Sequence, residues 1–507
     1  MILWPKGADF ETGVFAGRPD AFGGRPPLTR DRAPPTALML ALTLSDCAPV
    51  GPNFERPAAI VSPQFNEVKG WKTATPRAND PKGEWWSVFR DPELDRLVRV
   101  VAVSNQTIKT DEADYREALA LINEVRAGLF PTVNGTGSAE RSSPELTTLT
   151  AEALGMWTLD VWGQVRREIE AQQASAEVSA ATLANATLSE QSLLALAYVT
   201  LREADSLEDL LEKTVVEYKH SLTITQNQYN AGTAAKSDVI TAQAQLLNAQ
   251  AALIAAGVSR AQSEHAIAVL MGRPPAGLSI PHGSLATRVP SVPVGLPASL
   301  LERRPDVAAA EETMREANAE IGVAFAGYFP AVSLNGLIGY SGNPFNAAFG
   351  PTNPVWSFGA SIAQPLFNGG LTTAQVEAAR QTYQADVATY RETVLTAIQQ
   401  VEDALSGIRI LTREAKVQAD DVRISRQATQ IVLNEYQAGT QAFTAVVTAE
   451  AQQLGAEESL LSTQGQLQTD AVTLIVALGG GWSQSKLPDA AADSATSFPV
   501  PPLLVGN

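Results

Sequence analysis

The side chains best suited to acid–base chemistry do not have the spacing of an active site. Glu311-Glu312 and Asp420-Asp421 are adjacent acidic pairs in sequence that favours helices. Neighbouring residues on a helix point about 100° apart, so each pair is typical of a solvated helix face. The three histidines are scattered and are typical of solvated or packed side chains: His220, His265 and His282. The sequence therefore predicts a protein without enzymatic activity.

The sequence also has no group of residues with the spacing of a metal site or a nucleotide site. The single cysteine, Cys47, excludes a disulfide within the chain and leaves no Cys/His zinc cluster. There is no G-x-x-x-x-G-K-S/T loop to hold phosphates, and a net charge of −17 argues against a nucleic-acid partner. We predict no cofactor and no metal, and the sequence has no energy-coupling motif of its own.

Cys47 stands at the end of a segment that we predict to be a leader, 1–47. The apolar run 37–44 is too short for a membrane-spanning helix of about 20 residues but suits a secretory signal. A short apolar run that ends in a cysteine resembles a bacterial lipoprotein signal, so Cys47 is the predicted lipid-attachment site and mature N-terminus. Asp46 departs from that signal, in which the preceding residue is normally small. The alternative is a free thiol in a leader.

One module is used twice in the chain. The segment 229–250 returns 207 positions later as 436–457, with twelve of 22 aligned residues identical. Both copies open with Tyr-x-Ala-Gly-Thr. A second pair of segments, 128–133 and 327–332, shares Gly-x-Phe-Pro-x-Val. The sequence therefore predicts two internal repeats.

Each repeat contains a segment that predicts an unusually long helix. No Gly or Pro lies between Gly163 and Gly232, and only Gly407 lies between Gly370 and Gly439. A run of about 65 residues makes a helix of roughly 100 Å, which must lie against other long helices. Apolar residues keep the 3.5-residue period of a coiled coil. The predicted seams are Leu201, Ala204, Leu211, Val215, Tyr218, Leu222, Tyr229, Ile240, Leu247, Ile254 and Ala261 in the first repeat, and Ile408, Leu411, Ala415, Val422, Val432, Tyr436, Val447, Leu454 and Leu461 in the second.

Two pairs of short segments, 132–140 with 152–161 and 329–340 with 355–367, have the alternation of β-hairpins. On the last two strands one face carries Val332, Leu334, Ile338, Phe358, Ala360 and Ile362. Four strands cannot close a barrel, and open edges are not tolerated in lipid, so several chains would have to share one barrel. Three chains would give twelve strands, which lies in the even-numbered range of outer-membrane barrels. The sequence alone does not set the number three.

The predicted fold is mainly α with a small β part: long antiparallel α-helical hairpins, four membrane β-strands per chain, two internal repeats and a shared trimeric β-barrel. In chain order we predict a leader (1–47), an extended strap (48–92), a first repeat (93–271), a linker (272–298), a second repeat (299–482) and a disordered tail (483–507). Within the repeats the predicted β-hairpins are 130–162 and 329–367, and the predicted helical hairpins are 163–271 and 370–480.

Several motifs together resemble the TolC-type outer-membrane efflux proteins, in their NodT-like lipoprotein branch. The most specific are Leu301-Glu-Arg-Arg-Pro-Asp306 and the doubled Tyr-x-Ala-Gly-Thr turn. The others are Cys47-Ala-Pro-Val-Gly-Pro, the segment 84–97, the two Phe-Pro segments, Asp160-Val-Trp-Gly163, Gln364-Pro-Leu-Phe-Asn-Gly-Gly370 and Leu478-Gly-Gly-Gly-Trp482.

The resemblance implies a homotrimer in the bacterial outer membrane, lipid-anchored and inserted in outer-membrane lipid, with a helical tunnel in the periplasm. It implies a passive duct for small toxic compounds in a tripartite efflux system, with a periplasmic membrane-fusion adaptor and an inner-membrane RND-type pump as partners. Two alternatives stay open: a type I protein-secretion duct and a soluble coiled-coil scaffold. Against the scaffold stand the leader and the hairpin aromatics Trp157, Trp162, Tyr340 and Trp356.

The resemblance also implies a gate at the periplasmic tip. The predicted tip turns are Gly232, Thr233, Gly439 and Thr440, and the predicted aperture residues are Asp238, Lys236, Thr448 and Glu450. Asp238 matches the family's acidic position in the first repeat, whereas Ala445 and Thr448 replace the usual aspartates of the second. Three Asp238 carboxylates would attract cations and resist anions. The alternative for Ser237-Asp238 is a local role at a helix N-terminus.

Overall fold

Long helices and one small sheet make up most of the chain in a computed structural model. The structure describes residues 49–68, 84–142, 146–290, 297–342, 354–486 and 490. All of them belong to one unit, Ala48–Asn507. The predicted leader, with Cys47, and most of the predicted tail lie outside the described residues.

The two repeats contain the same elements in the same order. The first has α1 (Pro92–Ser104), α2 (Gln106–Ala127), β1 (Thr132–Ser142), β2 (Leu146–Leu159), α3 (Gln164–Asn230) and α4 (Lys236–Leu270). The second has α5 (Leu300–Arg303), α6 (Pro305–Ala326), β3 (Ala331–Gly342), β4 (Pro354–Ala363), α7 (Leu371–Gln437) and α8 (Phe443–Ala477). Helices α2 and α6 both have 22 residues, α3 and α7 both have 67, and α4 and α8 both have 35. The equal lengths confirm the internal repeat.

The four strands form one antiparallel sheet in the order β1-β2-β3-β4, so the pairing of β2 with β3 joins the two repeats. Strand β2 begins at Leu146, six positions before the predicted start at 152, because the Thr- and Leu-rich segment from Leu146 onward pairs with β1. Strand β4 ends at Ala363 rather than 367. Pro365 follows, and it has no N–H to donate to a ladder.

The sheet has one apolar and one mainly polar face. Residues that are directly opposite in the register share a face, and one face carries Val133, Ala151, Ala153, Trp157, Leu159, Val332, Leu334, Ile338, Tyr340, Trp356, Phe358, Ala360 and Ile362. The other carries Asn134, Thr136, Ser138, Glu140, Thr150, Glu152, Thr158, Ser333, Asn335, Ser357 and Ser361. The apolar face is uncovered: Trp356, Phe358 and Ile362 are 77%, 73% and 72% exposed.

The helices pack in two layers that follow each other along α3 and α7. Next to the sheet, the order of neighbours is α2-α3-α6-α7; toward the far end it is α4-α3-α8-α7. Among the described elements, each layer therefore has two edge helices, as the sheet has two edge strands. The single glycine inside α7, Gly407, lies against the side chain of Asp470 of α8.

The seam predicted for α4 lies on the wrong face for contacts within the chain. Ile240, Leu247 and Ile254 are 56%, 63% and 78% exposed. The buried residues of α4 instead include Ala242, Ala249, Ala256 and Ser263, which also recur at sevens. Small residues occupy the packed face because they let two helix backbones approach closely. The predicted seam of α3 is buried at Leu201, Ala204, Leu211 and Tyr218, and that of α7 at Ile408, Val422 and Tyr436.

Helix α4 also has the length and composition of a helix that could cross a membrane, the one such helix in the described residues. Its apolar residues fall into the two stripes just given, one packed inside the chain and one on the edge of the layer. Helix–helix contacts within the chain therefore account for the first stripe, whereas the second stripe is exposed.

The prediction that Glu311-Glu312 lies on a solvated face is wrong. The two residues are 5% and 1% exposed, because α6 is packed between α3 and α7. Arg56 pairs with Glu311 at 2.9 Å and Arg315 with Glu312 at 3.0 Å. Burial raises the pKa of Glu312 to about 8. Asp420-Asp421, by contrast, is exposed as predicted.

The extended segment 49–68 ties the repeats together. The Val50 N–H donates to Trp162 O at 3.0 Å, and the guanidinium of Arg167 donates to Val50 O at 3.0 Å. Farther along, Glu402 of α7 accepts from the backbone N–H of Asn66 at 2.6 Å. This segment thus spans from the start of the first long helix to the middle of the second.

Candidate functional site at the helical tip

The two Gly-Thr turns form matching helix ends. Gly232 and Gly439 have φ of 78° and 75°, a left-handed conformation that glycine adopts without strain. In the first turn the Thr233 N–H donates to Gln228 O at 2.9 Å, and in the second the Thr440 N–H donates to Glu435 O at 3.0 Å. A Cβ on either glycine would meet nothing within 4 Å, so the backbone angle alone requires glycine. These turns end α3 and α7 at the same end of the molecule.

The second tip has an aromatic lock that the first lacks. The rings of Tyr436 and Phe443 pack in a tilted arrangement with centroids 5.2 Å apart, and the two residues are 5% and 3% exposed. The equivalent positions in the first repeat are Tyr229 and Lys236. With a lysine in place of the aromatic partner, Tyr229 is 40% exposed. The two tips therefore pack differently although their sequences repeat, and only the second has a buried aromatic pair among the described residues.

Three of the four predicted aperture residues lie on the surface of the tip. Lys236 and Thr448 are exposed and Asp238 is partly exposed. Asp238 lies in the first turn of α4, where its carboxylate faces the positive end of the helix dipole. Its backbone N–H donates to Ala235 O at 3.1 Å. A local role at the N-terminus of α4 and a role in the aperture both require Asp238 at this position, and the structure is compatible with both.

Glu450 does not belong to this exposed set. It is 5% exposed and accepts hydrogen bonds from Ser221 Oγ of α3 and, at 3.1 Å, from Gln245 Nε2 of α4. Burial raises the pKa of Glu450 to about 7. The carboxyl of Glu450 is thus held among three helices of this chain, and its role at the aperture stays a prediction.

The exposed apolar residues of α4 have counterparts on α7. Ile410, Val417, Ile424 and Ile431 recur at sevens along α7 and are 47–70% exposed. Ile240 lies eight residues from its tip glycine (232 to 240) and Ile431 eight residues from its own (431 to 439). Leu247 and Ile424 each lie fifteen residues from their tip glycines, and Ile254 and Val417 each lie twenty-two residues from theirs. The two edge helices thus carry exposed apolar residues, which we call rungs, at the same number of residues from the tip.

Sequence reasoning missed an ion-pair hub above the tip, centred on Asp205. Asp205 is 0% exposed and accepts from Arg202 at 2.9 Å, from Arg260 at 2.7 Å and from the Gly283 N–H at 3.0 Å. Glu208 and His282 come close enough to Asp205 to form a possible metal-ligand group. Because both oxygens of Asp205 already face arginines, we interpret the hub as the anchor of the linker on α3 and α4.

The Leu301–Asp306 motif has a structural role that its sequence did not reveal. Arg304 is 8% exposed and donates to Ala477 O, at the end of α8, at 3.1 Å and to Gln400 of α7 at 2.9 Å. The Leu478–Trp482 motif meets it there: Gly479 has φ of 93°, and a Cβ on it would lie 2.0 Å from Arg303 O. The two motifs join the end of the second repeat to its beginning.

Comparison with known proteins decides the family. A family model described as "Outer membrane efflux protein" matches residues 97–273 and 296–480. The chain belongs to this family. The toluene efflux pump outer membrane protein TtgC of Pseudomonas putida is 28% identical over 463 residues, 88% of this chain and 95% of that protein. Outer membrane protein OprJ of Pseudomonas aeruginosa is 29% identical over 467 residues, 89% and 96% of the two chains.

Solved structures agree with the sequence relatives. The outer-membrane channel OprN matches with a TM-score of 0.80 at 28% identity, covering 85% of this chain and 99% of that one. The predicted family, the mainly helical fold with a small sheet, the outer-membrane location and the role as an outer-membrane channel of an efflux system are confirmed.

Proposed function

We propose that three copies of this chain form one passive duct of a tripartite efflux system, which carries small toxic compounds across the outer membrane. The observation that carries the proposal is the pair of matched apolar edges. On one chain the rungs of α4 and those of α7 are exposed, yet they lie at equal distances from the tip. Two different surfaces that fit each other make a head-to-tail contact, which forms a ring when the rotation between copies closes.

The rungs give this contact a register. Apolar side chains that repeat every seven residues pack as knobs into holes on a neighbouring helix. With α4 of one copy against α7 of the next, Ile240 meets Ile431, Leu247 meets Ile424 and Ile254 meets Val417. The tips of all copies then lie at one level. Repeating the contact adds four helices per copy, and three copies give twelve.

The sheet supports the same assembly. Strands β1 and β4 are its edges, and an unpaired edge is not stable in hydrocarbon. Pairing β4 of one copy with β1 of the next removes all edges, and three copies give twelve strands. The apolar face, with Trp356, Phe358 and Ile362, then faces lipid, and the Ser- and Thr-rich face lines the lumen. A soluble scaffold gives no reason for such a face.

An anchor at Cys47 fits this placement. The chain passes the base of the sheet at residues 49–50, where the Val50 N–H contacts Trp162 O. Trp162 stacks on Phe329 there with ring centroids 4.8 Å apart. Aromatic residues at this level are typical of a membrane interface.

The partners follow from the lack of an energy-coupling motif in the sequence and from the names of its relatives. TtgC is named for a toluene efflux pump and is its outer membrane protein. By analogy, this chain receives its substrate from an inner-membrane RND-type pump through a periplasmic membrane-fusion adaptor. The relatives' names favour small apolar compounds over secreted proteins as cargo.

Membrane fractionation and electrophoresis test the assembly. We expect the protein in the outer-membrane fraction as an oligomer that survives mild detergent and separates into single chains on boiling. A Cys47→Ser variant tests the anchor separately, because it should lose labelling by radioactive palmitate and keep the oligomer. A monomer in the soluble fraction would reject the proposal.

Asp238 is expected to set part of the ion selectivity. In the trimer three Asp238 carboxylates would surround the axis and favour cations. We expect Asp238→Asn to lower the cation-to-anion permeability ratio about two- to threefold at low salt, where screening is weakest. Reversal potentials in planar bilayers measure this ratio. Asp420→Asn removes one charge at an exposed residue of α7, nineteen residues from its tip glycine, and is the control; equal effects of the two variants would contradict an aperture role for Asp238.

A further inference from the structure

Glu450 bonds to both helices of the opposite hairpin, close to the tip. Its Oε1 accepts from Ser221 Oγ of α3, and its Oε2 accepts from Gln245 Nε2 of α4 at 3.1 Å. It lies seven residues after the start of α8 at Phe443, about 10 Å along the helix. The side chain therefore reaches from the second hairpin into the cleft between the two helices of the first.

Few charges compensate the Glu450 carboxyl. Glu217 of α3 faces it, and the charge of Glu217 opposes ionisation of Glu450. Gln453 Nε2 connects Glu217, at 3.3 Å, to Glu457, also at 3.3 Å. The cation of this network is Arg426 of α7, but its guanidinium is bound to Glu457 at 2.6 Å. Within the part of the chain that the structure describes, ionised Glu450 therefore has two neutral donors as partners and no cation.

The equivalent position in the first repeat does not make this contact. That position is Gln243, which is exposed on α4. The contact of Glu450 with α3 and α4, which we call the latch, is therefore a property of one hairpin, like the aromatic lock of Tyr436 and Phe443 a few residues away. The latch joins the second hairpin to the first, whereas the aromatic pair lies within the second hairpin.

We propose that Glu450 is a positioning residue for the aperture: its protonated carboxyl latches α8 to α3 and α4, and its ionisation favours separation of the two hairpins. The inference rests on the proposed function, since it requires a duct that opens at this tip. Separating the hairpins breaks the bonds to Ser221 and Gln245 and brings the carboxyl into water.

The direction of the pH dependence follows from burial. The pKa of Glu450 is about 7 in the packed tip, against an ordinary value of 4.5. The packed tip therefore binds the proton more tightly than the separated hairpins do. The proton's contribution to packing is fully present below pH 4.5 and is lost as the pH rises through about 7. Opening should accordingly increase from pH 5 to pH 8.

Single-channel recording in planar bilayers at pH 5 and pH 8 tests the latch. For the purified wild-type protein we expect the open probability to rise at least about tenfold. A tenfold change corresponds to one unit of difference between the pKa of Glu450 in the packed tip and in the separated hairpins. Glu450→Gln keeps the shape and removes the titration, so its open probability should be low and should change less than about twofold. Glu450→Ala removes the latch and should be open at both values.

Gln243→Glu is the matched control, because it adds a carboxyl at the equivalent but exposed position. Combined with Glu450→Gln, it keeps the net charge and should leave the response flat. A wild-type pH response that persists in Glu450→Gln, or its recovery in the double variant, would overturn the latch while leaving the duct intact. Absence of any conductance from a folded wild-type protein would overturn the proposed function and the latch with it.

Discussion

A single charge on the α7 edge should prevent assembly. Ile424 is 51% exposed on one chain and is buried against Leu247 of the next copy in the proposed trimer. Ile424→Glu removes roughly 1.5–3 kcal/mol of apolar burial at each of the three contacts and places an unpaired carboxylate in the seam. We expect less than about a tenth of the purified protein to remain oligomeric, measured by size exclusion with light scattering.

Two further variants make this result specific. Val216→Glu introduces the same charge at a residue of α3 that is 68% exposed but lies in the middle of the layer, so the oligomer should persist. Leu247→Lys combined with Ile424→Glu puts opposite charges on the same rung and should restore most of the oligomer. Failure of this rescue, with both single variants monomeric, would show that the two rungs do not face each other.

Removing the buried carboxylate of Asp205 should cause the largest loss of stability within one chain. Asp205→Ala leaves the guanidinium groups of Arg202 and Arg260 without their shared anion, and Arg202 is 8% exposed. Breaking one side of a buried ion pair typically lowers the free energy of unfolding by about 3–5 kcal/mol. Urea unfolding followed by helical circular dichroism measures the change.

The control for Asp205 lies one turn away. The side chain of Asp209 is 45% exposed and approaches His282, which is also 45% exposed, so Asp209→Ala should change the free energy of unfolding by less than about 0.5 kcal/mol. Asp205→Asn keeps the volume and removes the charge, and it should resemble Asp205→Ala. If Asp205→Asn is as stable as the wild type, the arginines are held by their other bonds to Pro281 O and Ile280 O.

The helical part of the fold could be predicted from the sequence because its signals are local. The runs free of Gly and Pro gave the two long helices almost to the residue, and the Gly-Thr turns end both. The faces of α4 could not be predicted in the same way. Two stripes recur at sevens, one of alanines and one of branched residues, and periodicity alone does not say which one packs within the chain.

The burial of individual side chains at the site could not be predicted from the sequence. Glu312 and Glu450 are ordinary helical glutamates by sequence, and only the packing of α6 against two long helices and of α8 against α3 and α4 makes them buried. Asp205 is anchored by groups 55 and 78 residues away, and no local pattern joins them. Motif resemblance found the tip turns, whose conformation depends on glycine alone.

The central claim is that this chain is one third of a shared duct. End-on single-particle images of the detergent-solubilised protein, purified from outer membranes, test it most directly. We expect threefold-symmetric rings with an open centre and twelve helices, four from each copy. Images of single chains, or of rings with another number of copies, would contradict the claim that one chain is a third of the duct.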